Sequence, residues 1–425
     1  MAASTDIKWF RYTNKGAPQV TNNWGVIIPV LDACLVSGFS EQVVIDVSIT
    51  GKTVKLTYDT NPGYYNYQVI TVSGSNSEEI NGDFRIIKVS DDGLSYYYEL
   101  EVPVTYTTAT GYVTTKLAPL GWEKAFEGVD KAAYRSTNES LNTRPYLRVI
   151  DGMPSNYGTA TNNYMKFARV GIVEEMTSID NLAGVQAPYD ATLPNKNWDT
   201  TMVGSTAYPG WAKWIYGWNN SYTGGYAMTT SPSAGDRDWI LVGDSDRFYF
   251  FVNTTPKATA TAYRMQYGFG AYDTFIRNDY SNTFLFASND YRAINSTKYL
   301  YNLVGASGTN VDSGYHMFLQ RNYSQIAQYS QAVLYSCHIT YTGAANAHGA
   351  PNSYATVVPF PCYIRDNSSY IRGNLPNFFW LGQTRPVTDL EPLINNKDEI
   401  MLPVLIYGWN SSYINSMVML KIGDV

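Results

Sequence analysis

Asp238-Trp-Ile-Leu-Val-Gly-Asp-Ser-Asp-Arg-Phe-Tyr-Phe-Phe-Val252 decides how this chain is read. Two apolar runs, Trp239–Val242 and Arg247–Val252, flank Gly243-Asp-Ser-Asp246. Runs of this length around a short polar stretch spell two strands and a turn. Asp244 suits the turn because its carboxylate can accept from nearby backbone N–H groups, and Asp236 and Asp238 fit the same account.

The same grammar extends outward in both directions. Trp122-Glu-Lys-Ala-Phe126 and Lys131-Ala-Ala-Tyr-Arg135 flank Glu127–Asp130 as a second hairpin, and residues 7–12 and Tyr146–Ile150 read as strands. Later strands are expected at Thr283–Ala287, Met317–Leu319, Val333–Thr340 and Met401–Tyr407. Between Val43 and Leu117 six strand-like runs crowd together: Val43–Val47, Thr53–Tyr58, Tyr67–Val72, Phe84–Val89, Tyr96–Val102 and Gly111–Leu117. Turn signals such as Asn61-Pro-Gly63 and Asn81-Gly82 separate them, so residues 41–117 read as a small inserted β-barrel with its own core. Residues 1–40 and 118–425 then belong to one main body. One helix is expected, Pro29–Ser37, with Pro29 in its first turn, a Val30/Leu31/Cys34/Leu35 stripe and Gly38 to end it. Residues 178–236, rich in Gly, Pro, Asn, Ser and Thr, read as a long irregular loop region. The expected fold is therefore mainly β, a multi-strand sandwich or barrel body with one short N-terminal helix and the small inserted barrel.

Composition removes whole classes of function. Among 425 residues, 30 are basic and 36 acidic, and the charged fraction is only 16% while aromatics reach 15%. Disordered chains have few aromatics, and nucleic-acid binders carry a basic surplus; neither describes this sequence. Three cysteines exclude a disulfide scaffold. The apolar stretch Trp24–Phe39 is broken by Pro29 and Asp32 and is too short to span a bilayer. Met1–Asp6 shows no secretory pattern, so the expectation is cytosolic synthesis with free thiols, Cys337 and Cys362 being the pair that could meet in space.

The residues that could carry chemistry are sparse. His316, His338 and His348 are the only histidines and lack the paired short spacings of a zinc site. Asp244 and Asp246 alternate like the start of a calcium loop, but Arg247 and Phe248 follow and no Glu stands at the twelfth position. No nucleophile elbow or metalloprotease helix occurs, and the many carboxylates single out no glycosidase pair. The chain is accordingly expected not to be an enzyme and to need no cofactor or metal. Aromatics are the stronger signal. Trp211, Trp214, Trp218 and Tyr222 share one stretch with Asn219 and Asn220, and Ile215-Tyr-Gly-Trp-Asn-Asn-Ser-Tyr222 recurs as Ile406-Tyr-Gly-Trp-Asn-Ser-Ser-Tyr413. Trp211, Trp214, Trp218, Tyr222, Trp409 and Tyr413 are therefore the ligand or interface candidates. They suit a sugar platform, a subunit interface or simple core packing.

Markers across the chain also resemble a family. Lys8-Trp-Phe10, Gly16-Ala-Pro18, Leu31-Asp-Ala-Cys-Leu-Val36 and Gly38-Phe39 are followed by Ala118-Pro-Leu-Gly-Trp-Glu-Lys124, Lys131–Ser136 and Tyr146-Leu-Arg-Val149 with Asp151. Asp238–Asp244, Phe248-Tyr249, Gly268-Phe-Gly270, Arg372-Gly and Leu375-Pro376 complete the series. In this order they resemble an uncharacterised family of tail-associated virion structural proteins of tailed bacteriophages. Val69–Gly74, Ile80-Asn-Gly-Asp-Phe84, Val89 and Tyr98-Glu-Leu100 resemble a small β-barrel module of phage tail and fibre proteins, departing from its Gly-Asp-x-Val opening at Gln68–Gly74. The resemblance implies a virion component assembled in the host cytoplasm, partnered by other virion proteins and by copies of itself, and brings no catalytic residues. Binding of a host surface glycan as a receptor-binding protein and decoration of the head are the alternatives. No nucleic acid or membrane insertion is expected.

Overall fold

The computed structural model describes residues 4–154, 165–199, 211–218, 231–256, 264–277, 279–289, 317–321, 330–336, 359–366, 368, 370–381, 387–406 and 416–425. Strands make up 53% of the described residues and helix 5%, so the protein is mainly β. No helix among the described residues is long and apolar enough to cross a membrane.

The hairpin forms as its sequence dictates. Trp239–Gly243 pairs antiparallel with Arg247–Asn253, Trp239 opposite Val252 and Gly243 opposite Phe248. At the turn, Asp244 Oδ1 accepts from the N–H groups of Asp246 (2.8 Å) and Arg247 (2.9 Å). Trp122 Nε1–H donates to the Asp244 carbonyl at 2.9 Å, and Asn138 Nδ2–H to Asp246 Oδ1 at 2.7 Å, so a second sheet clamps the turn. The runs are continuously apolar because both faces are buried. Trp239, Leu241, Phe248, Phe250 and Val252 enter one core, while Ile240, Val242, Tyr249 and Phe251 enter another.

This hairpin belongs to a 13-stranded sheet. Lys8–Arg11 borders Trp239–Gly243 on one side, and Arg264–Ala271 follows Arg247–Asn253 on the other. The sheet continues through Thr283–Phe286, Met317–Leu319, Ser330–Ser336, Pro359–Asp366, Ile371–Leu381 and Ser416–Asp424 to Glu399–Ile406. It curls until Ile406 meets Arg264 in a parallel bridge. Gly270 lets the neighbouring strand come close: its φ is +138°, and a Cβ there would lie 2.4 Å from Arg247 Cα. A second sheet of seven strands contains the hairpin Trp122–Gly128/Lys131–Ser136, then Tyr146–Ile150 and Lys166–Ser178. The described parts of residues 178–236 are more regular than their composition indicates. Asn181–Ala187 and Ala212–Gly217 both pair with Lys166–Ser178, and every residue of Ala212–Gly217 is buried.

Residues 39–117 form two four-stranded sheets. One runs Phe39–Val43, Gly111–Leu117, Val69–Ser75, Gly82–Arg85; the other Asp46–Thr50, Thr53–Thr57, Ser95–Glu99, Lys88–Val89. Two of the expected strands are thus divided. Val44 N–H bonds to Val113 in the first sheet and Ile45 N–H to Thr57 in the second, so the run Val43–Val47 is a corner. Phe84–Val89 breaks likewise: Ile86 N–H bonds to Gln68 and Ile87 N–H to Tyr97. Tyr58, Tyr64 and Tyr96 meet edge to face inside, with centroids 5.5–6.2 Å apart. This interior does not stand alone, because Val54, Ile70 and Leu117 belong to the same apolar cluster as Leu31, Trp214 and Phe250. Polar ties reinforce the join. Buried Gln68 exchanges hydrogen bonds with Asn14 at 2.9 and 3.0 Å, and Arg85 donates to the carbonyls of Ser4, Ile7 and Tyr67.

The helix starts at Ile27, two residues before Pro29, and continues as a π-helical turn over Asp32–Ser37. Its N-cap, Val26, supplies no side-chain bond. Asp151 caps it from a distant part of the chain instead, Oδ2 accepting from Ile27 N–H at 2.5 Å and Oδ1 from the Tyr216 hydroxyl at 2.8 Å. Burial pushes the Asp151 carboxyl up to about 7, against the pull of the Ile27 and Ile28 N–H groups and of Tyr216. A carboxyl raised on folding contributes stability that is fully present below its unfolded value near 4 and is lost as pH rises through about 7. Urea denaturation at pH 4.5 and 7.5 should therefore show Asp151→Asn gaining stability relative to wild type as pH rises. An unchanged difference would show that Asp151 is ionised across the whole range.

Candidate functional site

The sequence candidates separate on folding. Trp214 points into the core from the fully buried strand Ala212–Gly217, stacked on Tyr267 with centroids 5.8 Å apart and donating Nε1–H to the Phe286 carbonyl at 2.8 Å. Phe248 and Phe250 complete its surroundings. The i, i+4 spacing of Trp214 and Trp218 therefore has no helical meaning. Trp211 is also buried, with Lys196 Nζ 4.5 Å from its ring centroid. Trp218 is half-buried against the same core and fixed by its N–H to the Thr254 carbonyl at 3.0 Å. Tyr222, Trp409 and Tyr413 lie outside the described residues, as does Cys337; Cys34 is a buried free thiol and Cys362 is buried.

The opening residues of the two related segments do converge. Trp218 abuts Thr254, while Ile406 pairs with Arg264, itself opposite Asn253. Both segments thus begin at one end of the central hairpin, Ile215 in one core and Ile406 in the other. A buried ionic knot marks that end. Arg264, 1% exposed, holds Asp238 at 2.7 Å and Asp389 through two bonds of 2.9 Å. Arg237, next to Asp238 in sequence, donates to the carbonyls of Tyr216, Gly235 and Ser233. Through Arg264 the pairs tie together strands and loops far apart in sequence.

A groove lies at the other end, where the two large sheets meet. It encloses about 410 Å³ and is lined by Thr143, Arg144, Pro145, Glu174, Glu175, Tyr280, Ser281, Gln320 and Arg321. Glu174 organises one wall, accepting from Gln320 Nε2 at 2.6 Å and from Arg321 through Nε and Nη2 at 2.9 and 2.8 Å. Asp279 anchors the segment that carries the lining residues Tyr280 and Ser281. It is fully buried, 3.3 Å from Arg372 Nη2, and accepts from the Tyr272 and Thr274 hydroxyls and from Ser281 N–H. Arg372 in turn reaches the Arg321 carbonyl at 3.4 Å. The arrangement is a polar, charge-balanced recess with planar amide, carboxylate and guanidinium groups held in register.

Sequence reasoning passed over this groove. Arg372 lies in one of the family-like markers, but Glu174 and Arg321 are 147 positions apart and carry no local signal. Only the packing of their two sheets brings them together. Compared with models of known protein families and with curated protein sequences, the chain matches none.

The placement of Trp214 leads to a direct expectation. Trp214→Ala should cost about 3–5 kcal/mol by leaving a cavity in the core, read as a lowered denaturation midpoint. A side chain serving as an external ligand platform would leave that midpoint unchanged.

Proposed function

We propose that this chain is a structural component of a tailed-phage virion, tail-associated and acting through protein–protein assembly. The observation that carries the reading is an apolar surface for which an isolated subunit has no use. Val43 and Tyr112 lie on paired segments, Val43 opposite Thr114, and Ile45 follows at the sheet corner. They are 46%, 72% and 62% exposed respectively. On a different sheet Phe275, Tyr370 and Ile371 are also exposed, next to Tyr363, whose ring centroid is 6.1 Å from that of Phe275. Clustered exposed apolar side chains mark interaction sites, and aromatics dominate the energetics of interfaces. Two such surfaces on separate sheets suit a subunit that meets more than one neighbour. Covering them recovers about 25 cal/mol per Å² of apolar area.

The reading also draws on the family resemblance of the sequence. Its partners would be other virion proteins and further copies of the chain, and it involves no catalytic step. Electron cryo-microscopy of intact virions should place the chain on the tail, neck or baseplate, with Val43, Ile45 and Tyr112 covered by a neighbouring subunit. Ile45→Ser combined with Tyr112→Ser should give a folded protein that particles fail to incorporate. Density on the shell would reassign the chain to head decoration, and its absence from the particle would overturn the structural role.

A further inference from the structure

We propose that the groove between Arg144, Glu175, Tyr280 and Gln320 binds a neutral saccharide. Its volume, about 410 Å³, is within the usual range of ligand clefts. Three features define the occupant.

First, donors and acceptors face the same space. Arg144 makes only a 3.4 Å bond to the Ser136 carbonyl and stands 3.6 Å from the strongly exposed Glu139, which leaves most of its guanidinium fork uncommitted. Glu175 is an exposed carboxylate that makes no hydrogen bond among the described residues. A sugar hydroxyl both donates and accepts, so a vicinal pair can bridge one uncommitted donor and one uncommitted acceptor. Second, Tyr280 is 59% exposed at the rim and presents an aromatic ring on which the C–H face of a pyranose can rest. Third, charge argues against an ionic ligand. Two arginines face two glutamates, so the groove has no net charge.

The surrounding surface strengthens the third point. Among the described residues eight basic but only four acidic side chains are buried. The solvent-facing part of the described residues is therefore four charges more negative than those residues taken together. Such a field repels acidic glycans. Glu174, Asp279 and Arg372 hold the walls in place before any ligand arrives, which lowers the ordering cost of binding.

This assignment stands apart from the assembly role, since Ile45 and Tyr112 are not in the groove. The test is saturation-transfer NMR on the full chain with maltotriose, cellotriose, mannotriose and chitotriose, and with 3′-sialyllactose as the charged comparator. At least one neutral trisaccharide should receive saturation. Tyr280→Ala and Arg144→Met should each weaken that binding by about tenfold, the loss of one good contact. Tyr280→Phe should retain it, and Ile45→Ser with Tyr112→Ser should leave it unchanged. Both groove positions are at the surface, and circular dichroism verifies that the variants fold. Absence of transfer to every neutral probe overturns the proposal. So does binding that Tyr280→Ala leaves intact, or binding of sialyllactose alone.

Discussion

Every residue of Trp239–Gly243 is buried, and alternate side chains leave that strand for different cores. A strand buried on both faces requires a layer on each side, and the positions of the remaining elements follow from that requirement. On one side lie the seven-stranded sheet, the helix and the two small sheets, sharing the cluster that holds Trp214, Leu31 and Leu117. On the other lies the curled remainder of the large sheet, with Phe378, Leu402 and Val418. The hairpin is pinned at both ends. Trp122 and Asn138 grip its turn, and the Arg264–Asp238–Asp389 knot ties its open end to the strand that closes the curl.

Polar groups fix the joins between layers. Asp151, Gln68, Arg85 and Asp279 are all buried, and each bonds segments far apart in sequence. An apolar contact tolerates sliding, whereas a buried hydrogen-bonded group left unpaired costs about 1–3 kcal/mol. These residues therefore set register between layers that hydrophobic burial alone would leave free to shift. Burial lowers the Arg85 guanidinium to about 10, a measure of how far it has been removed from water to serve this purpose.

Local pattern made the strands and turns legible where pattern and pairing coincide. Gly111–Leu117 and Tyr146–Ile150 appear with their expected bounds, and Asp244 forms the anticipated turn. Legibility failed where distant partners decide the outcome. The runs at Val43–Val47 and Phe84–Val89 look like single strands because apolar side chains persist around a corner; only the partners of Val44, Ile45, Ile86 and Ile87 show the change of sheet. The helix start was displaced because its cap, Asp151, is 124 residues away. Trp214 stayed open between sugar platform, interface and core because its neighbours are Gly- and Asn-rich; strand pairing turns it inward. The groove was invisible for the same reason, since its carboxylate and guanidinium meet only across two sheets.

The low charge content acquires a further meaning once the fold is known. Twelve charged residues are buried among those described, so an already charge-poor sequence presents still less charge to solvent. Buried ions do nothing for solubility. A free-living monomer gains from the opposite arrangement, with charge outside and apolar interior ties. Under the proposed assembly role, arginines committed to internal ties and Tyr112, Ile45 and Phe275 left outside both suit packing against neighbours. On that reading rigidity comes from within and cohesion from contact, and a groove braced by the Glu174–Arg321 pair and the buried Arg372–Asp279 pair keeps its shape while the surfaces around it are engaged.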